Sequence, residues 1–227
     1  MHVNAARQFV SHYLRALRSR PRDAELCEAF GVRDAAAMRR AVLDAAAHVA
    51  SPARAFRIAA GPSTVAGAGL GLFVAGGAAR AGDGLALYPG LHYPDAAAWA
   101  DDGHRDASYV LNLSCYDGAP RGLIDAAATA SSRPEHPEHR GELVNHPPRG
   151  RAANVAPAPF FWAETRLEPI NEARGAAYLG GVVFVALADV GAGEELLLDY
   201  RLRWQGGFGR ALTTGESGLP EWYPPPP

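Results

Sequence analysis

Apolar side chains recur at helical spacing over the first fifty residues of the chain. They fall on one face of each of three successive segments: Phe9, Tyr13, Leu14 and Leu17; Leu26 and Phe30; Met38, Val42 and Leu43. Gly31 is placed to end the second segment, and Asp34 is placed to open the third. With a break at Ser51-Pro52, the pattern predicts a small helical N-terminal region over residues 1–54.

From residue 55 onward the apolar runs shorten to strand length, and glycine-rich turns separate them. The predicted strands cover residues 56–58, 70–75, 85–88, 109–113, 182–186 and 195–198. Residues 95–100 have the pattern of one helical turn, and residues 125–140 have that of a polar loop. Helices do not alternate with the strands, which argues against a doubly wound α/β fold. We therefore predict a mainly β (α+β) domain over residues 55–204, followed by a C-terminal extension over residues 205–227.

Composition narrows the class of protein. Hydrophobic residues make up 48% of the 227, and the net charge of -2 argues against nucleic-acid binding through bulk charge. All 22 basic residues are arginine, so the protein has no lysine of its own to modify. Cys27 and Cys115 have neither zinc-site nor disulfide-framework spacing, which indicates a reducing compartment. The N-terminus lacks an apolar run that would make a signal peptide or a membrane span, although a mitochondrial presequence stays an alternative. We expect a cytoplasmic or nuclear protein without membrane association.

Two motifs in the first two thirds of the chain allow a structural or a ligand-binding interpretation. The glycine-rich stretch 66–77 fails the dinucleotide-binding fingerprint, because Leu72 occupies the third glycine position and a strand follows. It forms either a tight hairpin turn or a place where the backbone approaches a ligand. Asn145 and His146 follow an apolar pair, where polar side chains are costly unless they are bound. They either cap a turn or recognise a small polar ligand.

Two further stretches are candidates for chemistry. Tyr200 directly follows the predicted strand 195–198, so it is either a structural residue at a strand end or a hydroxyl that points into a pocket. The stretch 135–146 is rich in His and Glu, but Pro137 breaks the helical spacing of a metal site. We interpret this stretch as a solvated loop and expect no metal.

The order of these motifs resembles that of the SET-domain protein methyltransferase family, of the lysine methyltransferase type. In chain order, the matching elements are the turn Gly69-Leu70-Gly71, the strand end Leu87-Tyr88-Pro89-Gly90, the strand Ile124-Asp125-Ala126, the pair Asn145-His146 and the closing G-E-E-L-L-L-D-Y that ends at Tyr200. The resemblance covers roughly residues 60–204 and is strongest in the closing motif. It implies a SET-type β-clip of short strands with a knot-like crossing, a rare kind of chain path.

The resemblance also implies a cofactor and a set of site residues. Family members bind S-adenosyl-L-methionine, and the matching positions here are Gly69, Leu70, Gly71, Asn145 and His146. Asn154 would help to close the crossing. Tyr200 would be the catalytic tyrosine in the transfer of a methyl group to a lysine of a protein substrate, histone or non-histone. The candidates for an aromatic substrate channel are Tyr88, Tyr109, Trp204, Trp222 and Tyr223.

Departures from the family pattern leave an alternative open. Pro147-Pro148 stands where Ser-Cys is usual, a longer insert with Arg149 and Arg151 separates the two asparagines, and the cysteine-rich post-SET segment is absent. The alternative is a catalytically inactive SET-fold protein-interaction module that uses the N-terminal helices. For the enzyme, we expect a protein partner that presents lysine and no direct nucleic-acid binding. The degree of methylation and the oligomeric state stay open.

Overall fold

The structure is a computed structural model that describes residues 23–49, 51–103, 109–114, 120–127, 136–148, 150–161 and 180–199. Its helices are α1 (Asp23–Phe30), α2 (Ala35–His48) and α3 (Ala96–Asp101), and two short 3-10 turns cover Pro137–His139 and Gly141–Leu143. Its strands are β1 (Arg57–Pro62), β2 (Leu70–Gly76), β3 (Gly84–Leu87), β4 (Leu91–Tyr93), β5 (Val110–Ser114), β6 (Pro120–Asp125), β7 (Val155–Phe161) and β8 (Gly180–Ala186).

The ends of the first two helices follow from local chemistry. α1 ends at Gly31, whose φ of 65° is open to glycine without strain. α2 begins after Asp34, whose carboxylate accepts a hydrogen bond from Ala37 N at 2.8 Å. Both predicted boundaries are confirmed, whereas the predicted helix around residues 9–17 lies outside the described residues. None of the helices in the described part of the chain is long and apolar enough to cross a membrane.

The described strands form three small sheets, in which every pairing is antiparallel. β1 pairs with β2, β8 lies between β3 and β7, and β6 lies between β4 and β5. The predicted mainly β fold of short strands is confirmed. The pattern of apolar runs did not predict β4, β6 or β7; in β7, Pro157 and Pro159 interrupt the run. At these two positions β7 is an edge strand that pairs only with β8, and pairing on one side needs only every second N–H group.

β8 is apolar on both faces, and each face contacts a different layer. Val182 and Phe184 face the main core, which contains β1, β2 and parts of residues 196–198. Val183 and Val185 point to the opposite face, as alternate residues of a strand do, and contact the helices. The helical residues buried there are Leu26, Met38, Val42, Ala46 and Val49. The N-terminal helices therefore share a core with the central sheet.

A buried polar pair anchors α3 to the sheet of β4, β5 and β6. Trp99 is fully buried, and its indole Nε1 donates a hydrogen bond to Asp125 Oδ2 at 2.6 Å. The other oxygen of Asp125 accepts from Ala127 N at 2.8 Å. A buried carboxylate is costly without such partners. The aspartate of the Ile124-Asp125-Ala126 strand thus has a structural role in this fold.

Candidate functional site

The centre of the candidate site is the segment of residues 195–199, which we call the closing segment. One of its edges is bonded to β2 and to the Asn-His pair. Leu196 N donates to Leu72 O at 2.8 Å, and Leu198 N donates to Asn145 O at 2.8 Å. The predicted strand 195–198 therefore forms isolated bridges with several partners instead of one continuous ladder.

The other edge of the closing segment is bonded to the start of β7. Asn154 N and Val155 N both donate to Leu197 O, at 3.0 and 3.2 Å. The C=O of Leu197 and the N–H of Leu198 belong to one trans peptide and point in opposite directions. Asn145 and Asn154 thus lie on opposite edges of the closing segment, so the chain crosses from one edge to the other between them. This arrangement is the knot-like crossing that we expected, and we call it the crossing.

Asn154 closes the crossing with its side chain as well as its backbone. Its Nδ2 donates to Glu195 O at 2.9 Å, and its Oδ1 accepts from Leu197 N at 2.8 Å. The amide side chain thus occupies the donor and acceptor positions that a neighbouring strand would supply. The predicted role of Asn154 is confirmed.

Glu195 is the residue of the site that sequence reasoning missed. Its side chain is fully buried, and its carboxylate accepts from Ser63 Oγ at 2.6 Å, from Thr64 N at 2.8 Å and from Thr64 Oγ1. Asn145 Nδ2 donates to it at 3.2 Å. Burial opposes ionisation, but these hydrogen bonds together outweigh it and hold the pKa of Glu195 below its usual range. The available signal in the sequence was a glutamate directly before three leucines.

The residues predicted to bind the cofactor come together at the crossing. Asn145 Nδ2 donates to Leu70 O at 2.8 Å, which joins the Asn-His pair to the turn Gly69-Leu70-Gly71. His146 is buried, and its Nδ1 lies 4.0 Å from Asp199 Oδ1. Their contacts with a cofactor stay predictions.

The two glycines of the turn have different surroundings. Gly71 faces the crossing: a Cβ there would lie 3.0 Å from Glu195 Cδ and 3.3 Å from Asn145 Nδ2, with the Glu195 oxygen closer still. Gly69 has a φ of 74°, and a Cβ built on it would have no other atom within 4 Å. Leu70 between them is 49% exposed. The turn therefore fits a ligand that approaches its backbone from the side of Gly69 and Leu70, while its other side packs on the crossing.

Two of the five residues predicted to form the substrate channel are described and lie together. Tyr88 OH donates a hydrogen bond to the backbone carbonyl of Tyr109 at 2.7 Å. The Tyr88 ring packs edge-on against the ring of Phe184, with 6.2 Å between the ring centroids. The remaining channel candidates, and the predicted catalytic residue, lie outside the described residues: Trp204, Trp222, Tyr223 and Tyr200. Asp199, which precedes Tyr200 in the chain, is the last described residue of the closing segment.

The His- and Glu-rich stretch is not a solvated loop throughout, which corrects our interpretation. The side chain of Glu142 is fully buried and is paired with Arg140. Burial raises the pKa of Glu142, and the hydrogen bond from Arg140, which lowers it, offsets only part of this effect. The stretch packs on β3, where Gly141 leaves no room for a side chain beside Leu87 O. No group of three or more His, Cys, Asp or Glu residues in the described ranges could hold a metal ion.

No family model matches the chain, and no curated protein matches it. Solved structures similar to it include Polycomb Repressive Complex 2 of Chaetomium thermophilum, in an autoinhibited conformation bound to S-adenosylmethionine. That similarity has 22% identity and a TM-score of 0.43, over 65% of this chain and 15% of that chain. CpSET8 from Cryptosporidium shows 18% identity and a TM-score of 0.41, over 63% of this chain and 56% of that one.

KRYPTONITE in complex with mCHG DNA and SAH shows 20% identity and a TM-score of 0.41, over 64% of this chain and 23% of that chain. This chain thus spans less than two thirds of each of the three. The structural neighbours are SET-domain lysine methyltransferases, the family that the order of motifs resembles.

Proposed function

We propose that this protein is an S-adenosylmethionine-dependent methyltransferase that acts on a lysine side chain of a protein substrate. The observation that carries the proposal is the crossing. Three segments far apart in the sequence meet there: the turn Gly69-Leu70-Gly71, the pair Asn145-His146 and the closing segment, which leads directly to Tyr200. The open backbone beside Gly69 and the nearby polar groups of Asn145 suit a small polar cofactor.

The substrate lysine must lose a proton before it reacts. Its free pKa is about 10.4, so deprotonation near pH 7.4 costs roughly 4 kcal/mol. Aromatic side chains such as Tyr88 and Tyr109 would exclude water from the amine and lower its pKa by desolvation. The Tyr200 hydroxyl would accept or donate a hydrogen bond at the amine and fix its direction of attack. When bound, S-adenosylmethionine supplies an electrophilic methyl group, whose transfer leaves a neutral thioether.

The first test is calorimetric titration of S-adenosylmethionine into three proteins: wild type, Asn145→Ala and Tyr200→Phe. We expect saturable binding to wild type, weaker binding to Asn145→Ala, and nearly unchanged binding to Tyr200→Phe. Equal losses in the two variants would contradict the assigned roles. No binding to wild type would overturn the proposed function.

The second test follows a labelled methyl group from the cofactor onto a library of lysine-containing peptides. Because the chain contains no lysine, label on the protein itself cannot come from lysine automethylation, and the background is low. We expect Tyr200→Phe to lower turnover strongly while cofactor binding persists. Cofactor binding without transfer to any substrate would favour the inactive interaction module instead.

A further inference from the structure

The buried carboxylate of Glu195 organises the hydrogen bonds of Ser63. The hydroxyl of Ser63 has a single hydrogen, which it donates to Glu195 Oε1 at 2.6 Å. Its lone pairs are then directed to its two donors, Val65 N at 3.0 Å and Asn145 Nδ2 at 3.1 Å. The charge on Glu195 thus makes Ser63 an acceptor toward Asn145.

The Glu195 carboxylate and the carbonyl of Leu70 together decide which end of the Asn145 amide faces inward. Nδ2 has two hydrogens and three acceptors in reach: Leu70 O at 2.8 Å, Ser63 Oγ at 3.1 Å and Glu195 Oε1 at 3.2 Å. In the flipped orientation, Oδ1 would face a carbonyl and a carboxylate, neither of which can donate. Only one orientation of the amide is therefore satisfied, and it turns Oδ1 away from these acceptors.

A second hydrogen-bond chain reaches Glu195 from the insert that departs from the family pattern. Arg151 Nη1 donates to Thr64 Oγ1 at 2.9 Å, and Thr64 Oγ1 donates to Glu195 Oε2. The exposed arginine thus fixes the direction of the Thr64 hydroxyl, as Glu195 fixes that of Ser63. Both oxygens of the carboxylate are committed to donors, so the carboxylate cannot turn without breaking bonds.

We propose that Glu195 is a positioning residue of the methyl-transfer site, which orients the side-chain amide of Asn145 directly and through Ser63. The proposal rests on the proposed function for its effect on the cofactor, but the orientation itself is a property of the protein alone. Because Glu195 is fully buried, its effect on cofactor affinity would pass through Asn145.

The variant that tests this is Glu195→Gln, which keeps the size of the side chain and replaces one acceptor by a donor. With the new amide nitrogen toward Ser63, Asn145 Nδ2 loses one of its three acceptors, and the Ser63 hydroxyl loses the acceptor of its hydrogen. With the nitrogen toward Thr64, the Thr64 N–H loses its acceptor. Glu194→Gln is the matched control, because Glu194 is the exposed neighbour and its carboxylate accepts only a turn bond from Gly191 N among the hydrogen bonds described.

Calorimetry of S-adenosylmethionine binding gives the first readout. We expect Glu195→Gln to weaken S-adenosylmethionine binding about 10- to 100-fold, which corresponds to the loss of one hydrogen bond to a charged group. Glu194→Gln should leave the affinity unchanged. The double variant Glu195→Gln/Asn145→Ala should bind no more weakly than Asn145→Ala alone, since both changes act on one group. Wild-type affinity of Glu195→Gln, or losses that add in the double variant, would overturn the proposal.

NMR of the cofactor-free protein gives a readout that does not depend on the proposed function. The side-chain amide signals of Asn145 should move in Glu195→Gln and stay in place in Glu194→Gln. Unchanged Asn145 signals in Glu195→Gln would overturn the positioning role, even if the cofactor binds. If Glu195→Gln does not fold, Ser63→Ala removes the relaying hydroxyl and keeps the carboxylate. Its Asn145 amide signals should also move, and unchanged signals there would likewise overturn the proposal.

Discussion

Replacing Gly71 by alanine should damage the crossing, because the position has no room for a single methyl group. The added Cβ would lie 3.0 Å from Glu195 Cδ and 3.3 Å from Asn145 Nδ2, and closer still to a carboxylate oxygen. Overpacking of this kind costs about 1–3 kcal/mol. Displacing the Glu195 carboxylate from one of its donors adds about 1.5–3 kcal/mol. We expect Gly71→Ala to lower the free energy of unfolding by about 2.5–6 kcal/mol.

Gly69→Ala is the matched control for this substitution, since the two glycines belong to the same turn. A Cβ on Gly69 has open space around it, but the φ of 74° is strained for alanine. That strain costs about 1–2 kcal/mol. Urea unfolding followed by tryptophan fluorescence measures both variants against wild type. Equal destabilisation by the two changes, or a larger effect at Gly69, would refute the claim that the crossing packs against Gly71.

Two further predictions concern buried carboxylates. Trp99→Phe removes the indole donor to Asp125 and should lower the free energy of unfolding, measured in urea, by about 1.5–3 kcal/mol. Tyr93→Phe, which loses a hydrogen bond to the exposed Asp102, should lower it clearly less. A similar decrease in both variants would count against the proposed anchoring of α3 by Trp99 and Asp125. Because the fold lowers the pKa of Glu195, its stabilising charge is present above the ordinary glutamate pKa of 4.5 and is lost as the pH falls through the folded-state pKa. The difference in urea midpoint between wild type and Glu195→Gln should therefore narrow as the pH falls below this ordinary pKa, and a constant difference would contradict this assignment.

Local patterns in the sequence were sufficient to predict most of the secondary structure. Gly31 and Asp34 set helix ends through the backbone of their own turns, and alternating or continuous apolar runs marked β2, β3 and β8. β7 was not predicted, because its two prolines interrupt the apolar pattern of a strand, although proline is tolerated at an edge position. These features depend on neighbours a few residues away, so the sequence by itself determined them.

The order of motifs also placed Asn145, Asn154 and the turn at residues 69–71 in one site, and their meeting at the crossing agrees with that prediction. The two glycines of the turn could not be told apart in this way. Only the tertiary structure shows that Gly71 faces a carboxylate while Gly69 faces open space. The difference depends on which segment packs on each side of the turn.

The burial of Glu195 and of Glu142 was decided by the tertiary structure alone. In the sequence, Glu194 and Glu195 are adjacent and chemically equal, yet one is exposed and the other is fully buried. The donors that make burial of Glu195 tolerable come from Ser63 and Thr64, more than 130 residues earlier in the chain. A charge can be buried only where such partners converge, and this convergence is a property of the folded chain that no local pattern encodes.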